Sequence, residues 1–180
     1  MNLNNKTVII TGASSGIGKS CAEQFAQKGA NIVLAARQYA ALSTIKEDLE
    51  KRFGIKAIAV QCDVSKENEC AHLINEAVQA FKGIDILVNN AGISMRALFK
   101  DLDLVVLRNL MDVNFWGMVY CTKYALPHLL KSKGSVIGIS SVAGYHGLPG
   151  RTGYAASKFA MNGFLESLRI ENLKTGLHVM

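Results

Sequence analysis

The chain has 180 residues, 49% of them hydrophobic and 19% charged, with a formal net charge of +6. That is enough for one domain with a real core, and the balance fits a soluble globular protein rather than a disordered tail. No stretch approaches the ~18 uninterrupted apolar residues of a membrane span. The start MNLNNKTVII lacks the basic flank and apolar core of a signal peptide. Basic residues are spread along the chain with no dense run, which sets nucleic acid aside as the main partner. Cys21, Cys62, Cys70 and Cys121 form no CxxC pair and no zinc spacing. They read as free thiols in a reducing compartment, with a cytoplasmic location expected.

The first apolar run, Thr7–Thr11, reads as a strand buried on both faces, followed by a helix over Ile17–Lys28. Between them lies the turn Gly12-Ala13-Ser14-Ser15-Gly16-Ile17-Gly18. A pyrophosphate needs free backbone N–H groups, the positive end of a helix and close approach without Cβ atoms, and glycines at a strand-to-helix junction supply all three. The spacing GxxxGxG departs from the GxGxxG fingerprint, and an ordinary glycine-rich turn is the alternative reading. Gly18-Lys19-Ser20 imitates the end of a GxxxxGK[ST] loop. That motif needs glycine at position 13, where Ala13 stands, so an ATPase or kinase becomes a minor alternative.

The same rhythm continues with strands at Asn31–Ala35, Ala57–Cys62, Asp85–Asn89 and Val136–Ser140 and helices at Ala40–Phe53, Lys66–Phe81, Leu104–Lys131 and Gly153–Lys174. Alternating β and α elements predict right-handed crossovers and an α/β fold of the Rossmann type: a doubly wound parallel sheet with helices on both faces. Two prolines and no Gly/Ser linker leave residues 1–180 as a single dinucleotide-binding and catalytic domain. Gly176 reads as a helix stop, and His178-Val179-Met180 as the start of a sixth strand. The chain stops there, so the sheet is expected to lack its last strand or strands.

Tyr154 and Lys158 are four apart, so one helix face carries both. A free phenol is a poor base at neutral pH, and a nearby ammonium favours its phenolate. Tyr39, Tyr120, Tyr124 and Tyr145 have no lysine four residues on, so Tyr154 alone qualifies. It follows the fifth strand on the carboxyl side of the sheet, where ligands bind in such folds. Ser141 at that strand's end can hold a substrate oxygen, or serve as a turn hydroxyl satisfying backbone groups. Its neighbour Ser140 is expected to point the other way. His146, Leu148 and Arg151 occupy the loop between serine and tyrosine and are placed to touch a substrate.

The spacing TGxxxGxG, with Asn89-Asn90-Ala91-Gly92 after the fourth strand, Asn114 in Asp112-Val113-Asn114-Phe115-Trp116-Gly117, and Ser141, Tyr154 and Lys158, resembles the short-chain dehydrogenase/reductase family. The resemblance covers nearly the whole chain, and stretches such as GISMR and TKYALPHL look like the steroid-dehydrogenase-like branch. The family's closing segment, with its Pro-Gly stretch and helical substrate lid, is absent from this sequence. The resemblance implies that Ser141 positions a carbonyl, Tyr154 gives or takes the proton, and Lys158 tunes Tyr154 and binds the nicotinamide ribose. It implies that Asn114 holds a water completing a relay; otherwise Asn114 is a buried asparagine pinning a helix bend. It also places Gly12, Ser14, Ser15, Gly16, Ile17, Gly18, Asp63, Val64, Asn90, Ala91 and Gly92 against a nicotinamide dinucleotide, with Asp63 on the adenine amino group. A turn aspartate is the competing reading of Asp63.

Binding of an unphosphorylated ribose uses an acid at the end of the second strand. Here the strand ends Leu34-Ala35-Ala36-Arg37, with Ala36 at the acid's place. Arg37 can pair with a 2′-phosphate that a carboxylate would repel, which favours NADP(H) over NAD(H). The leading expectation is therefore an NADP(H)-dependent oxidoreductase interconverting a secondary alcohol and its ketone or aldehyde. The alternative is a catalytically silent NAD(P)-binding sensor or scaffold. Apolar residues beyond one face of the two long helices, together with the family's habit of pairing them, imply a homodimer or homotetramer.

Overall fold

The computed structural model describes residues 3–180, so the first two residues of the MNLNNKTVII start lie outside the described part. Six strands form one sheet: β1 (Thr7–Thr11), β2 (Asn31–Ala36), β3 (Ala57–Gln61), β4 (Ile86–Asn89), β5 (Ser135–Gly138) and β6 (His178–Val179). Each lies within two residues of the run that predicts it. The order is β3-β2-β1-β4-β5-β6, and every pairing is parallel. The sixth strand is a two-residue pairing, Ser135 with His178 and Val136 with Val179.

Alternation along the strands divides the core between the two faces of the sheet. Ile9, Val33, Val60, Leu87 and Val136 point to one side and pack with Leu73, Ile74, Cys121, Leu129 and Met161. Val8, Ile10, Ile32, Leu34 and Val88 point to the other and pack with Ala22, Ala26, Leu42 and Leu49. All five residues of β1 are buried, as a central strand covered on both faces requires. Each fully buried Ile or Leu contributes about 1.5–3 kcal/mol. Cys62, Cys70 and Cys121 are buried free thiols and Cys21 is half-buried.

The covering helices are α1 (Gly16–Gln27), α2 (Tyr39–Phe53), α3 (Glu67–Phe81), α4 (Leu104–Leu110), α5 (Gly117–Ser132) and α6 (Thr152–Glu171). These helices depart from the expected ones in two places. The helix expected to run unbroken over 104–131 contains a π-helical stretch, Met111–Trp116, between α4 and α5. Its cause is side-chain chemistry that periodicity does not register: Asn114 turns inward, 1% exposed, and spends its amide on other elements. Helix α6 ends at Glu171 rather than Lys174 because Asn172 Nδ2 donates to the Leu168 carbonyl at 2.8 Å, satisfying an end-of-helix acceptor from a side chain. No described helix is long and apolar enough to cross a membrane.

Strand β1 has β2 on one side and β4 on the other, so the chain leaves β1 and β4 towards opposite faces. That reversal opens a crevice at the carboxyl ends of the two strands, the place where open α/β sheets receive ligands.

Candidate active site

The crevice is braced from within. Thr11 Oγ1 accepts from the backbone N–H of Asn90 at 3.1 Å and of Ala91 at 3.0 Å, and donates to the Val88 carbonyl at 3.4 Å. Asn90 Nδ2 returns the link, donating to the carbonyls of Thr11 at 2.9 Å and Gly12 at 3.2 Å. These bonds lock the loop after β1 to the loop after β4. They also fix Gly18, where any Cβ would collide with the Gly12 carbonyl oxygen and the Asn90 amide. Gly16 differs: it sits at φ +53 with nothing within 4 Å of where a Cβ would be, so its backbone faces open space at the start of α1.

A cleft of about 750 Å³ lies over this turn. Gly12, Ser14, Ser15, Gly16 and Ile17 line its floor, Arg37 and Asp63 with Val64 its β2–β3 end, and Asn90, Ala91 and Gly92 its β4 side. These are eleven of the residues that the sequence reading places against a dinucleotide. Gly18 lies beneath the turn rather than on the wall. Ala36, Gln38, Cys62, Ile93 and Val113 also line the cleft, outside the set placed against the dinucleotide. They reach the wall through the strand ends, the loop after β4 and the π-helical stretch.

Asp63 Oδ1 accepts from the Ser65 N–H at 3.1 Å and hydroxyl at 2.8 Å, which makes it a turn aspartate, while its own N–H donates to Glu69 Oε2 at 2.7 Å. Burial pushes the Asp63 carboxyl up, but the two Ser65 hydrogen bonds and the charges of Arg37 and Lys66 outweigh it and hold the group below its usual range. Its second oxygen takes no hydrogen bond among the described residues.

At the end of β5, Ser141 caps a short 3₁₀ turn, its Oγ accepting from the Ala143 N–H at 3.1 Å. That leaves the hydroxyl proton free to donate. The Ser140 Oγ is buried without a partner among the described residues. Lys158 is 4% exposed and donates through Nζ to the Ile139 carbonyl at 2.7 Å and to Met161 Sδ at 3.4 Å. Burial pushes its pKa down to about 8. Its ammonium lies 5.8 Å from the centre of the half-buried Tyr154 ring, and the Arg151 guanidinium 5.9 Å from it. Tyr154 and Lys158 therefore sit together at the strand tips, with Ser141 at the end of the same strand, although none of the three lines the cleft over the glycine turn.

Asn114 Oδ1 accepts from the Ile93 N–H at 2.8 Å, and Nδ2 donates to the Ile93 carbonyl at 3.0 Å and to Ser157 Oγ at 2.9 Å. Ser157 Oγ in turn donates to the Tyr154 carbonyl at 2.7 Å. Asn114 has no direct bond to Tyr154 or Lys158. It pins the bend and ties the β4 loop to α6. Ser157, which the sequence reading passed over, is the bridge, and its place between Tyr154 and Lys158 was the available signal.

The fold and its cleft define a Rossmann-type α/β protein with a glycine-floored crevice at the switch point of the sheet. The short chain dehydrogenase family model matches residues 6–180, and the chain belongs to that family. It is 42% identical over 170 residues to the 11-beta-hydroxysteroid dehydrogenase-like protein 4A of Arabidopsis thaliana, covering 94% of this chain and 57% of that one. The chain thus spans about half the length of the curated relatives it matches. Among solved structures it resembles a putative short-chain alcohol dehydrogenase of Sinorhizobium meliloti, with TM-score 0.93 and 30% identity over 99% of this chain and 71% of that one. It also resembles an alcohol dehydrogenase of Thermococcus sibiricus complexed with 5-hydroxy-NADP, with TM-score 0.91 and 28% identity over 93% and 71% of the two chains.

Proposed function

We propose that residues 1–180 form a single dinucleotide-binding and catalytic domain of an NADP(H)-dependent oxidoreductase that interconverts a secondary alcohol and its carbonyl compound. The observation that carries this reading is the Tyr154–Lys158 pair at the carboxyl end of β5, beside a cleft floored by Gly12, Ser15 and Gly16. The residues fit a dinucleotide: an open backbone at Gly16, the N-terminus of α1 behind it, and Arg37 at the far end for a 2′-phosphate. Bound nicotinamide would supply the hydride chemistry. The chain's own residues do the rest. Ser141 donates its free hydroxyl proton to the substrate oxygen, Tyr154 gives that oxygen its proton on reduction and takes it on oxidation, and Lys158 sets the charge beside the phenol. With its pKa near 8, Lys158 is still charged at neutral pH.

A silent dinucleotide sensor could use Lys158 to hold a ribose but would have no use for the phenol and hydroxyl of Tyr154 and Ser141 beside it, and that favours the catalytic reading. Four free thiols favour a reducing, cytoplasmic compartment. Trp116, Tyr124, Phe159 and Ile170 stand exposed on the α5–α6 side and favour a homodimer or homotetramer, to be read by sedimentation. The test of function is Tyr154→Phe: loss of reduced-nicotinamide absorbance with a panel of ketones stops, while NADP(H) affinity is kept. Retained turnover overturns the assignment.

A further inference from the structure

Resting on that reading, we infer that Arg151 is a carboxylate-binding residue, and that the substrate is an oxo acid or hydroxy acid with an apolar body. The half-buried Arg151 lies just before Tyr154, at the start of α6. Its guanidinium donates to Ser94 Oγ and stands over the Tyr154 ring, 5.9 Å from its centre. No carboxylate pairs with it: Arg151 takes part in no ion pair among the described residues. Its remaining N–H donors have no acceptor among the described residues, which leaves them open to a bound anion.

The surroundings keep that charge uncompensated. From Val113 to Leu165 the chain has no Asp or Glu, and residues 92–98 have none either. The nearest acid in sequence beyond that segment, Asp101, stands exposed at the end of the short 3₁₀ turn Phe99–Asp101 and makes no ion pair among the described residues, and Asp103 caps α4 through the Val105 N–H. The two loops at the mouth of the site are joined by a hydrogen bond from the Ala97 N–H to the Gly150 carbonyl at 3.1 Å. Ser94 and Arg151 thus sit on one connected rim. That rim exposes Leu98, Phe99, Val142 and Tyr145, an apolar surface for the rest of a substrate.

A planar fork of donors fixed by a neutral hydroxyl, with its charge open towards the phenol, matches a carboxylate in shape and sign. The guanidinium stands 5.9 Å from the centre of the Tyr154 ring, so a carboxylate held by Arg151 and a carbonyl at the tyrosine hydroxyl would belong to one short substrate, which we take to be a 2- or 3-oxo acid. The arginine acts in binding and orientation. Reduction still adds one hydride to carbon and one proton from Tyr154 to oxygen, yielding the hydroxy acid and oxidised nicotinamide.

The test compares 4-phenyl-2-oxobutanoate with its ethyl ester, and 4-phenylbutanoate with its amide, on the protein with NADP(H). In Arg151→Met, kcat/KM for the acid is expected to fall at least about tenfold more than for the ester, chiefly through KM. Ser94→Ala, which frees the guanidinium from its anchor, is expected to act in the same direction but less, and Arg151→Lys to recover part of the loss. Calorimetric binding of 4-phenylbutanoate to the NADP-loaded protein is expected to exceed that of the amide and to disappear in Arg151→Met. Equal losses for acid and ester mean that Arg151 acts only through Tyr154 and overturn the inference. So does 4-phenylbutanoate that fails to bind, or that binds Arg151→Met as it binds wild type. Binding that depends on Arg151 without turnover of either ketone supports this site and sinks the oxidoreductase reading instead.

Discussion

Lys158 gives its ammonium to the Ile139 carbonyl, 2.7 Å away, and so holds α6 against the segment leaving β5. The bond fixes the charge where burial makes it costly, which is why the pKa falls from 10.5 to about 8. A lysine whose folded pKa lies below its unfolded one binds fewer protons when folded. The cost is present in full below pH 8 and relieved as the pH rises to 10.5. Relative to Lys158→Met, the wild type is therefore expected to gain stability across that window, by something of the order of 3 kcal/mol. Urea unfolding of both proteins at stepped pH measures it; parallel curves count against the burial argument.

Asn114 spans Ile93 and Ser157 from the π-helical stretch. Asn114→Ala would leave the Ile93 N–H and carbonyl without these partners, each orphaned group costing about 1–3 kcal/mol. The expected result is a loss of about 2–4 kcal/mol in denaturant unfolding, with faster amide exchange at Ile93. Asn114→Asp, which keeps the acceptor and loses the donor, should fall between.

Thr11→Val keeps the shape of the side chain and deletes the hydroxyl that joins the two loops of the crevice. Two backbone N–H groups lose their acceptor, so stability should drop by about 2–4 kcal/mol. NADP(H) affinity should weaken as well, because the Gly12 and Asn90 sides of the cleft are no longer held in register. A variant as stable as wild type would show that water replaces the hydroxyl.

Arg37 stands at the β2 end of the cleft and its charge reaches Asp63. Arg37→Asp is expected to raise the KM for NADP(H) at least about tenfold while changing that for NAD(H) far less. Steady-state kinetics with both cofactors reads the difference, and equal effects remove the argument for the phosphorylated form.

Much of this was legible in the chain because it is local. Apolar runs such as Thr7–Thr11 announce buried parallel strands. The glycines of the first turn and the four-residue spacing of Tyr154 and Lys158 depend only on geometry within one turn or one helix. What stayed hidden depends on partners distant in sequence. Nothing around Asn114 shows that it will meet Ile93 and Ser157, so periodicity predicts a continuous helix where the structure has a π-helical break. Thr11 reads as the last residue of a strand until β4 arrives beside it. Sequence alone leaves Ser141 open between a substrate contact and a turn hydroxyl, and the structure has it accepting the Ala143 N–H while keeping its proton to give.

The hydrogen-bonded braces between the loops after β1 and β4 are made entirely by the chain's own groups, so holding the floor of the crevice in shape calls on no ligand atom. An incoming dinucleotide would meet a receptor already set in shape and would have little of the floor to organise. Its association should then carry only a small penalty for ordering the protein, leaving the solvent and the ligand's own freedom to dominate the entropy of docking.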